Sequence, residues 1–304
     1  MAFGTRESLI GIVRMIRHRN QNWSSIAFSV TGTVLPRVIV RVFLFTAFSS
    51  VIVVSLHLTE TELKLNPITH SLVGIALGLL LVFRTNASYD RFWEGRKAWE
   101  GVTSASQNLV RSAVAFAGTA EDLVPLVTAY AYALKDRLQG SDDLASFAGD
   151  LDREVMKEAS GSSNSPATIT RHLTFWVRKK LDDGLSPPLA RSLDLWIGQL
   201  IDHQATCERI RNTPMPFAYV VQIRQLLIVY LATLPLVLLD FLGWWSIPAL
   251  FFVAFALLGI EEAGVEIENP FGTDPNDLPL GDFCEVISKD TALLAEGINA
   301  GAAG

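Results

Sequence analysis

The side chains able to do covalent or metal chemistry are sparse in this chain. His203 and Cys207 stand four apart in a stretch of helical periodicity, with Asp202 and Glu208 beside them. That is half of a zinc-type site on one helix face. No second pair completes it, and a lone pair of this kind is more often helix surface or core. Glu266, Asn269, Asp274 and Asp277 offer the carboxylate and amide oxygens that hard cations take. Asp142-Asp143 and Asp182-Asp183 read as solvated charge. No glycine-rich phosphate loop, zincin pattern or serine elbow is present, so no catalytic constellation and no enzyme is expected. Cys207 and Cys284 lie far apart without metal spacing, and reduced thiols are expected of them.

A different chemistry, the control of water in a narrow apolar space, is available in Pro67–Trp99, PITHSLVGIALGLLLVFRTNASYDRFWEGRKAW. Ile75, Leu79 and Phe83 repeat every four residues and form one row of a helix. Around a shared axis, three stacked apolar rings would make a throat that gates by dewetting. Spacing alone leaves lipid-facing or core packing as the commoner use of such a row. Ser71, Gly74 and Gly78 form a second row, about 100° away, of small residues that lets another helix approach closely. The outer turn carries Thr69, His70 and Ser71, which are costly against lipid and make sense lining a wet mouth.

The elements that would position these rows are helices. Half of the residues are apolar and the mean hydropathy is +0.32, yet 18% are charged. That mixture suits a membrane block joined to a soluble one. Arg37–Leu58 is a first span, close to the ~20 residues a crossing needs. Arg41 snorkels near its start and His57 sits at its far interface. Thr59–Asn66 is a short polar connection, Pro67 suits a helix first turn, and Ile68–Phe83 is the second span. No breaker separates this span from Arg84–Trp99, so one long helix is predicted to run from apolar into polar surroundings.

The soluble block, residues 84–224, shows helical periodicity at Asn108–Ala117, Glu121–Leu138, Thr168–Leu181 and Leu189–Arg211. Breaks fall at Gly118-Thr119 and Gln139-Gly140-Ser141, and Ala159–Pro166 has the composition of a mobile loop. Gln225–Leu242 is a third span and Ile247–Ile260 a fourth, ending at Glu261-Glu262, with a Gly243-Trp244-Trp245 turn between them. A last helix is predicted over Asp282–Ala295, followed by a frayed GINAGAAG end. Thr5–Arg19 is a basic amphipathic helix candidate that suits an anionic membrane face or docking on the soluble block. The chain therefore divides into residues 1–36, 37–83, 84–224, 225–263 and 264–304.

Arginine placement orients it. Arg6, Arg14, Arg17, Arg19, Arg37 and Arg41 precede or open the first span, Arg84, Arg91 and Arg96 follow the second, and Arg209, Arg211 and Arg224 precede the third. The two outer connections hold only Lys64. The positive-inside rule then puts both termini and the soluble block in the cytosol. No secretory signal peptide is visible, and the formal charge of −6 gives no nucleic-acid footprint.

Three segments carry a resemblance: GIALGLLLVFRTNASYDRFWEGRKAW, CERIRNTPMPFAY at Cys207–Tyr219, and IENPFGTDPNDLP at Ile267–Pro279. In this order, over most of the chain, they resemble the bestrophin family in its bacterial branch. The resemblance implies a homopentameric ion channel of the cell inner membrane. Its fold would be all-α and multi-pass, with four transmembrane helices and a helical cytosolic domain. Ile75, Leu79 and Phe83 fall on the family's apolar neck, and Arg91-Phe92-Trp93 on its arginine-aromatic-aromatic motif. A second, cytosolic constriction is expected near the helix that follows Pro187-Pro188, at Leu189 or alternatively Leu193. In animal members the segment matching Glu266, Asn269, Asp274 and Asp277 holds calcium with a dense aspartate run. Here that run is diluted to Asp274-Pro275-Asn276-Asp277, which points to capping and subunit docking rather than to a calcium cofactor.

Selectivity stays open at this level. The N-terminus of the second span favours anions, and Arg84 would add to that if it faced the lumen. Glu60, Glu62 and the acidic soluble block favour cations. The expectation is a channel for small monovalent ions, chloride being the family default. A sodium channel of the same fold and a non-channel transporter are the alternatives. A transporter would show inverted repeats and broken helices, which the sequence lacks.

Overall fold

A computed structural model describes residues 29–30, 32–60, 63, 65–141 and 151–296. The amphipathic candidate Thr5–Arg19, Glu62, Lys64, Asp142-Asp143 and the end from Gly297 onward lie outside them. The described residues form helices α1 (Leu35–Leu58), α2 (Pro67–Ala117), α3 (Leu123–Gln139), α4 (Arg153–Ser160), α5 (Ser165–Asp182), α6 (Pro187–Asn212), α7 (Phe217–Leu242), α8 (Ser246–Glu266) and α9 (Leu280–Glu296), with a 3-10 turn at Gly243–Trp245. They fall into two compact units. One is built from the described residues up to Trp93 together with Thr213–Asn269, the other from Glu94–Asn212 and the described residues from Pro270 on. The 51-residue α2 gives its first part to one and its second part to the other.

The first unit contains α1, the apolar part of α2, α7 and α8. Prolines mark the starts of its helices, where a missing N–H costs nothing. Pro36 is in the first turn of α1, Pro67 opens α2 and Pro216 caps α7. The core joins Val38 and Val42 of α1, Leu77 and Leu81 of α2, Ile223, Leu227 and Leu231 of α7, and Ala254 and Leu258 of α8. Three stretches are long and apolar enough to cross a membrane: Leu35–Leu58, Pro67–Ala117 and Phe217–Glu266. Only 22%, 22% and 28% of their apolar windows are buried within the protomer, so most of this surface needs a partner other than water. The third stretch is two helices, α7 and α8, folded back at the 3-10 turn. His57, at the far end of α1, meets Trp244 of that turn edge-on with ring centroids 5.1 Å apart.

Two boundaries differ from expectation. The helix placed at Gln225–Leu242 begins at Phe217, since nothing after the Pro216 cap interrupts it. The helix expected to stop at Glu261-Glu262 continues to Glu266. Those carboxylates do not end it because arginines on neighbouring helices meet them.

The second unit packs α3 against α5, α6 and α9, around Trp99, Leu109, Tyr130, Leu134, Ile169 and Leu193. The predicted breaks at Gly118 and Gly140 are real, each at φ +73, a left-handed conformation that glycine adopts without strain. Ala159–Pro166, expected as a mobile loop, is instead a tight joint between α4 and α5. Asn164 Oδ1 accepts from Ala167 N at 3.2 Å, Ser165 Oγ donates to Ala159 O at 2.9 Å, and Arg137 Nη1 donates to Ser163 O at 2.7 Å. Serine and asparagine are the residues of helix caps as well as of loops, and here they cap. Gly101 lets α2 and α6 close up: a methyl there would lie 2.2 Å from the His203 ring.

Candidate functional site

Along the first part of α2, burial repeats with helical period. Leu77, Leu81, Arg84 and Ser88 point into the unit and are buried. The other face carries Ile75, Leu79 and Phe83, which are 70%, 54% and 55% exposed. The predicted row is thus outside the protomer's own bundle, continuous with exposed Ile68 and Leu72 towards one end and Asn86 and Asp90 towards the other. The glycine row divides. A methyl at Gly74 would lie 2.7 Å from Tyr230 Oη, so this glycine serves packing against α7. A methyl at Gly78 would meet nothing within 4 Å in the protomer.

The polar outer turn is only partly as expected. Thr69 and Ser71 are exposed, but His70 turns inward, stacked on Tyr230 at 4.3 Å and 3.2 Å from Thr233 Oγ1. A ring that stacks on a tyrosine and has a hydroxyl within reach draws these contacts from α7.

Arg84 would add to an anion preference only if it faced the lumen. It is 1% exposed; its Nη1 donates to Glu261 Oε1 at 2.6 Å and its Nη2 lies 3.7 Å from Glu268 Oε2. A guanidinium withdrawn from solvent in this way is held by carboxylates, and its charge is cancelled locally. Arg224 Nε donates to the same Glu261 Oε1 at 3.0 Å. Arg41 lies 2.9 Å from Glu262 and 3.6 Å from Glu261, and Arg37 pairs with Glu266. Arg91 donates to the Glu268 carbonyl at 3.1 Å and to the Thr213 carbonyl at 2.5 Å, and Met215 N donates to Glu268 Oε1 at 3.3 Å. Three segments remote in sequence therefore meet here: the arginine-aromatic run of α2, the turn before α7 and the turn after α8. The sequence reading missed Glu261 and Glu262 as members of this cluster. The signal was available: two carboxylates directly after an apolar run need cations, and arginines open the two helices that neighbour it.

In the second unit, Gly95 supports the Pro270-Phe271 turn, since a methyl there would meet both side chains at 3.0 Å. Of the acidic residues, Asp277 is buried and its Oδ2 accepts from Asp274 N at 2.7 Å. Its own N–H donates to Asp274 O at 3.0 Å. That carboxylate is used in closing a turn. Glu266, ending α8, is engaged by Arg37, while Asn269 and Asp274 are exposed. Among the described residues no group of three His, Cys, Asp or Glu side chains is placed to hold a metal ion. His203 packs against Gly101, and Cys207 is fully buried, its thiol pushed up to about 12 by burial and by the charge of Glu208. Burial pushes Cys284 up as well. Neither thiol is a ready ligand or nucleophile. Leu193 is buried in the core of its own unit, while Leu189 is half-buried in the first turn of α6.

The family description "Bacterial/Fungal Bestrophin protein" matches residues 14–292. A voltage-dependent anion channel-forming protein of Nostoc is 36% identical over 284 residues, 89% of this chain and 91% of the relative. Another, of Ralstonia nicotianae, is 32% identical over 281 residues, 88% of this chain and 90% of the relative. Among solved structures, a bacterial bestrophin homologue from Klebsiella pneumoniae superposes with a TM-score of 0.81 at 28% identity. The match covers 85% of this chain and 98% of that one.

Proposed function

This chain belongs to the bestrophin family in its bacterial and fungal branch, and from that premise we propose that it forms a homopentameric channel for small monovalent anions, chloride first. The observation that carries the reading is the exposed row Ile75, Leu79 and Phe83. A protomer with three large apolar residues outward on the helix that bears the family signature supports their facing a symmetry axis as a neck. Such a neck excludes ions when dry and passes them when wet. The relatives, named as anion channel-forming proteins, supply the preference for anions.

In the same reading α1, the first part of α2, α7 and α8 are four membrane spans of the inner membrane, with both termini cytosolic. Supporting this, Arg37, Arg41, Arg84, Arg91 and Arg224 all lie at the ends of these helices away from the connections Thr59–Asn66 and Gly243–Trp245. Leu189 is proposed for a cytosolic constriction, and calcium is not proposed as a cofactor. The segment of Glu266, Asn269, Asp274 and Asp277 is read as capping and docking.

A sodium-selective channel of the same architecture is favoured by one observation. Asp90 is exposed two turns beyond Phe83 on the same face, and Arg84, buried against Glu261, offers no opposing charge. Planar bilayer recordings under asymmetric sodium chloride test all of this. Unitary currents reversing near the chloride potential support the anion reading, and reversal near the sodium potential favours the second one. The absence of unitary steps rejects a channel. Alkaline phosphatase fused within Thr59–Asn66 is expected to be active, and inactive after Gly140.

A further inference from the structure

Beside the buried ion pairs of the first unit lies an open groove of about 390 Å³, lined by Arg41, Phe45, Arg224, Leu227, Ile228, Leu258 and Glu261. We propose that this groove holds an anionic phospholipid, its phosphate on Arg41 and Arg224 and an acyl chain along Phe45, Ile228 and Leu258.

Three helices build the same gradient independently. On α1, Arg41 is followed one turn on by Phe45; on α7, Arg224 is followed by Leu227 and Ile228; on α8, which runs the other way, Leu258 precedes Glu261 by one turn. The charged groups thus share one rim, and the apolar groups share one floor roughly 5 Å deeper along the helices. A phospholipid presents the same order of charge and hydrocarbon at the edge of a bilayer.

The donors also fit. Arg41, Arg84 and Arg224 meet three carboxylates, Glu261, Glu262 and, through Arg84, Glu268, so what the rim offers is exposed guanidinium donors rather than a surplus of charge. Arg41 and Arg224 remain 44% and 52% exposed, with donors to spare, whereas Arg84 is closed off. A phosphate diester takes such a pair of forks bidentately. The open apolar floor, with Ile228 more than half exposed, distinguishes the site from one for a small free anion.

The inference rests on the first unit spanning a membrane, not on conduction, and its test contains no ion flux. Native mass spectrometry of the detergent-purified oligomer, titrated with phosphatidylglycerol or phosphatidylcholine of matched chains, reads retention per protomer. The wild-type protein is expected to retain phosphatidylglycerol at least tenfold better. Arg224→Gln should reduce that preference to within about threefold, because one fork of the pair is lost. Ile228→Trp, which fills the floor and leaves every charge in place, should lower retention of both lipids, and it decides the matter if Arg224→Gln is not recovered folded. Equal retention of the two lipids overturns the proposal. Displacement of phosphatidylglycerol by millimolar inorganic phosphate also overturns it, in favour of a free-anion site. Unchanged lipid retention with loss of the oligomer in Ile228→Trp overturns it in favour of a second copy of this chain covering the groove. A protein that conducts but shows no lipid preference removes this inference alone.

Discussion

Two rows of side chains run along the first part of α2, and their fates are opposite. Leu77, Leu81 and Arg84 are essentially inaccessible, while Ile75, Leu79 and Phe83 are more than half exposed. In a water-soluble helix the arginine would mark the outer face and the unbroken apolar row the core. Here the cation is inside, held by Glu261 and Glu268, and the apolar row is outside. The inversion is what a low-dielectric surrounding demands: a charge must be paired inside the protein, and a greasy row has no penalty facing lipid or its own copies. The difference teaches that α2 is two devices on one rod, an anchor on one side and an open apolar face on the other.

The comparison can be broken most forcefully at the anchor. Arg84→Ala leaves Glu261 and Glu268 short of a buried partner, and losing one member of a buried pair costs about 3–5 kcal/mol. Arg41 and Arg224 also reach Glu261, so the lower end, about 3 kcal/mol, is expected as a fall in thermal midpoint of the detergent-solubilised protein. Phe83→Ala, one residue away, should leave that midpoint nearly unchanged and increase leak in liposome flux. Equal destabilisation by the two would dissolve the distinction.

A smaller contrast pairs two leucines. Leu77→Ala opens a cavity in the core of the first unit. Against a lipid reference the transfer contribution drops out, leaving lost contacts and void, roughly 1–2 kcal/mol. Leu79→Ala opens none within the protomer and should stay within about 0.5 kcal/mol by the same measurement. Smaller again is the pair of glycines. Gly74→Ala must push the Tyr230 hydroxyl aside, about 1 kcal/mol of overpacking. Gly78→Ala meets nothing in the protomer, so any effect on size-exclusion profile or cross-linking places a second copy at that face.

The smallest expected effect is a control far from α2. Cys207 and Cys284 are buried with thiols held protonated, so iodoacetamide at pH 8 should modify neither in the folded protein and both after denaturation. Rapid labelling of the native protein would show that the second unit opens readily.

Much of this was legible in the residues. Apolar runs bounded by proline marked the helices of the first unit, and the absence of a breaker between Ile68 and Trp99 announced the long α2. Spacing separated the row of Ile75 from the row of Gly74 and Gly78, because side-chain direction follows directly from helical period. What failed did so where a local rule met a distant partner. Glu261-Glu262 read as a helix end, since two adjacent carboxylates ordinarily mean water; arginines from α1 and α7 made them interior. Ser162, Asn164 and Ser165 read as a loop, since the same hydroxyl and amide groups solvate loops and cap helices. Leu193, the alternative to Leu189, is buried by the packing of α6, which helical spacing alone does not reveal. That His70 stacks on Tyr230 was likewise beyond the reach of local spacing.

By itself the sequence determined which segments are helices, which of them are too apolar for water, and which residues share a face, because each of these depends on short-range periodicity and composition. It also carried the family, through three motifs kept in order. Only the tertiary structure decided which face turns inward and which carboxylate meets which arginine. Ion pairs such as Arg84–Glu261 join residues 177 positions apart, and the free energy of a buried charge depends on what the folded chain brings beside it rather than on its neighbours in sequence.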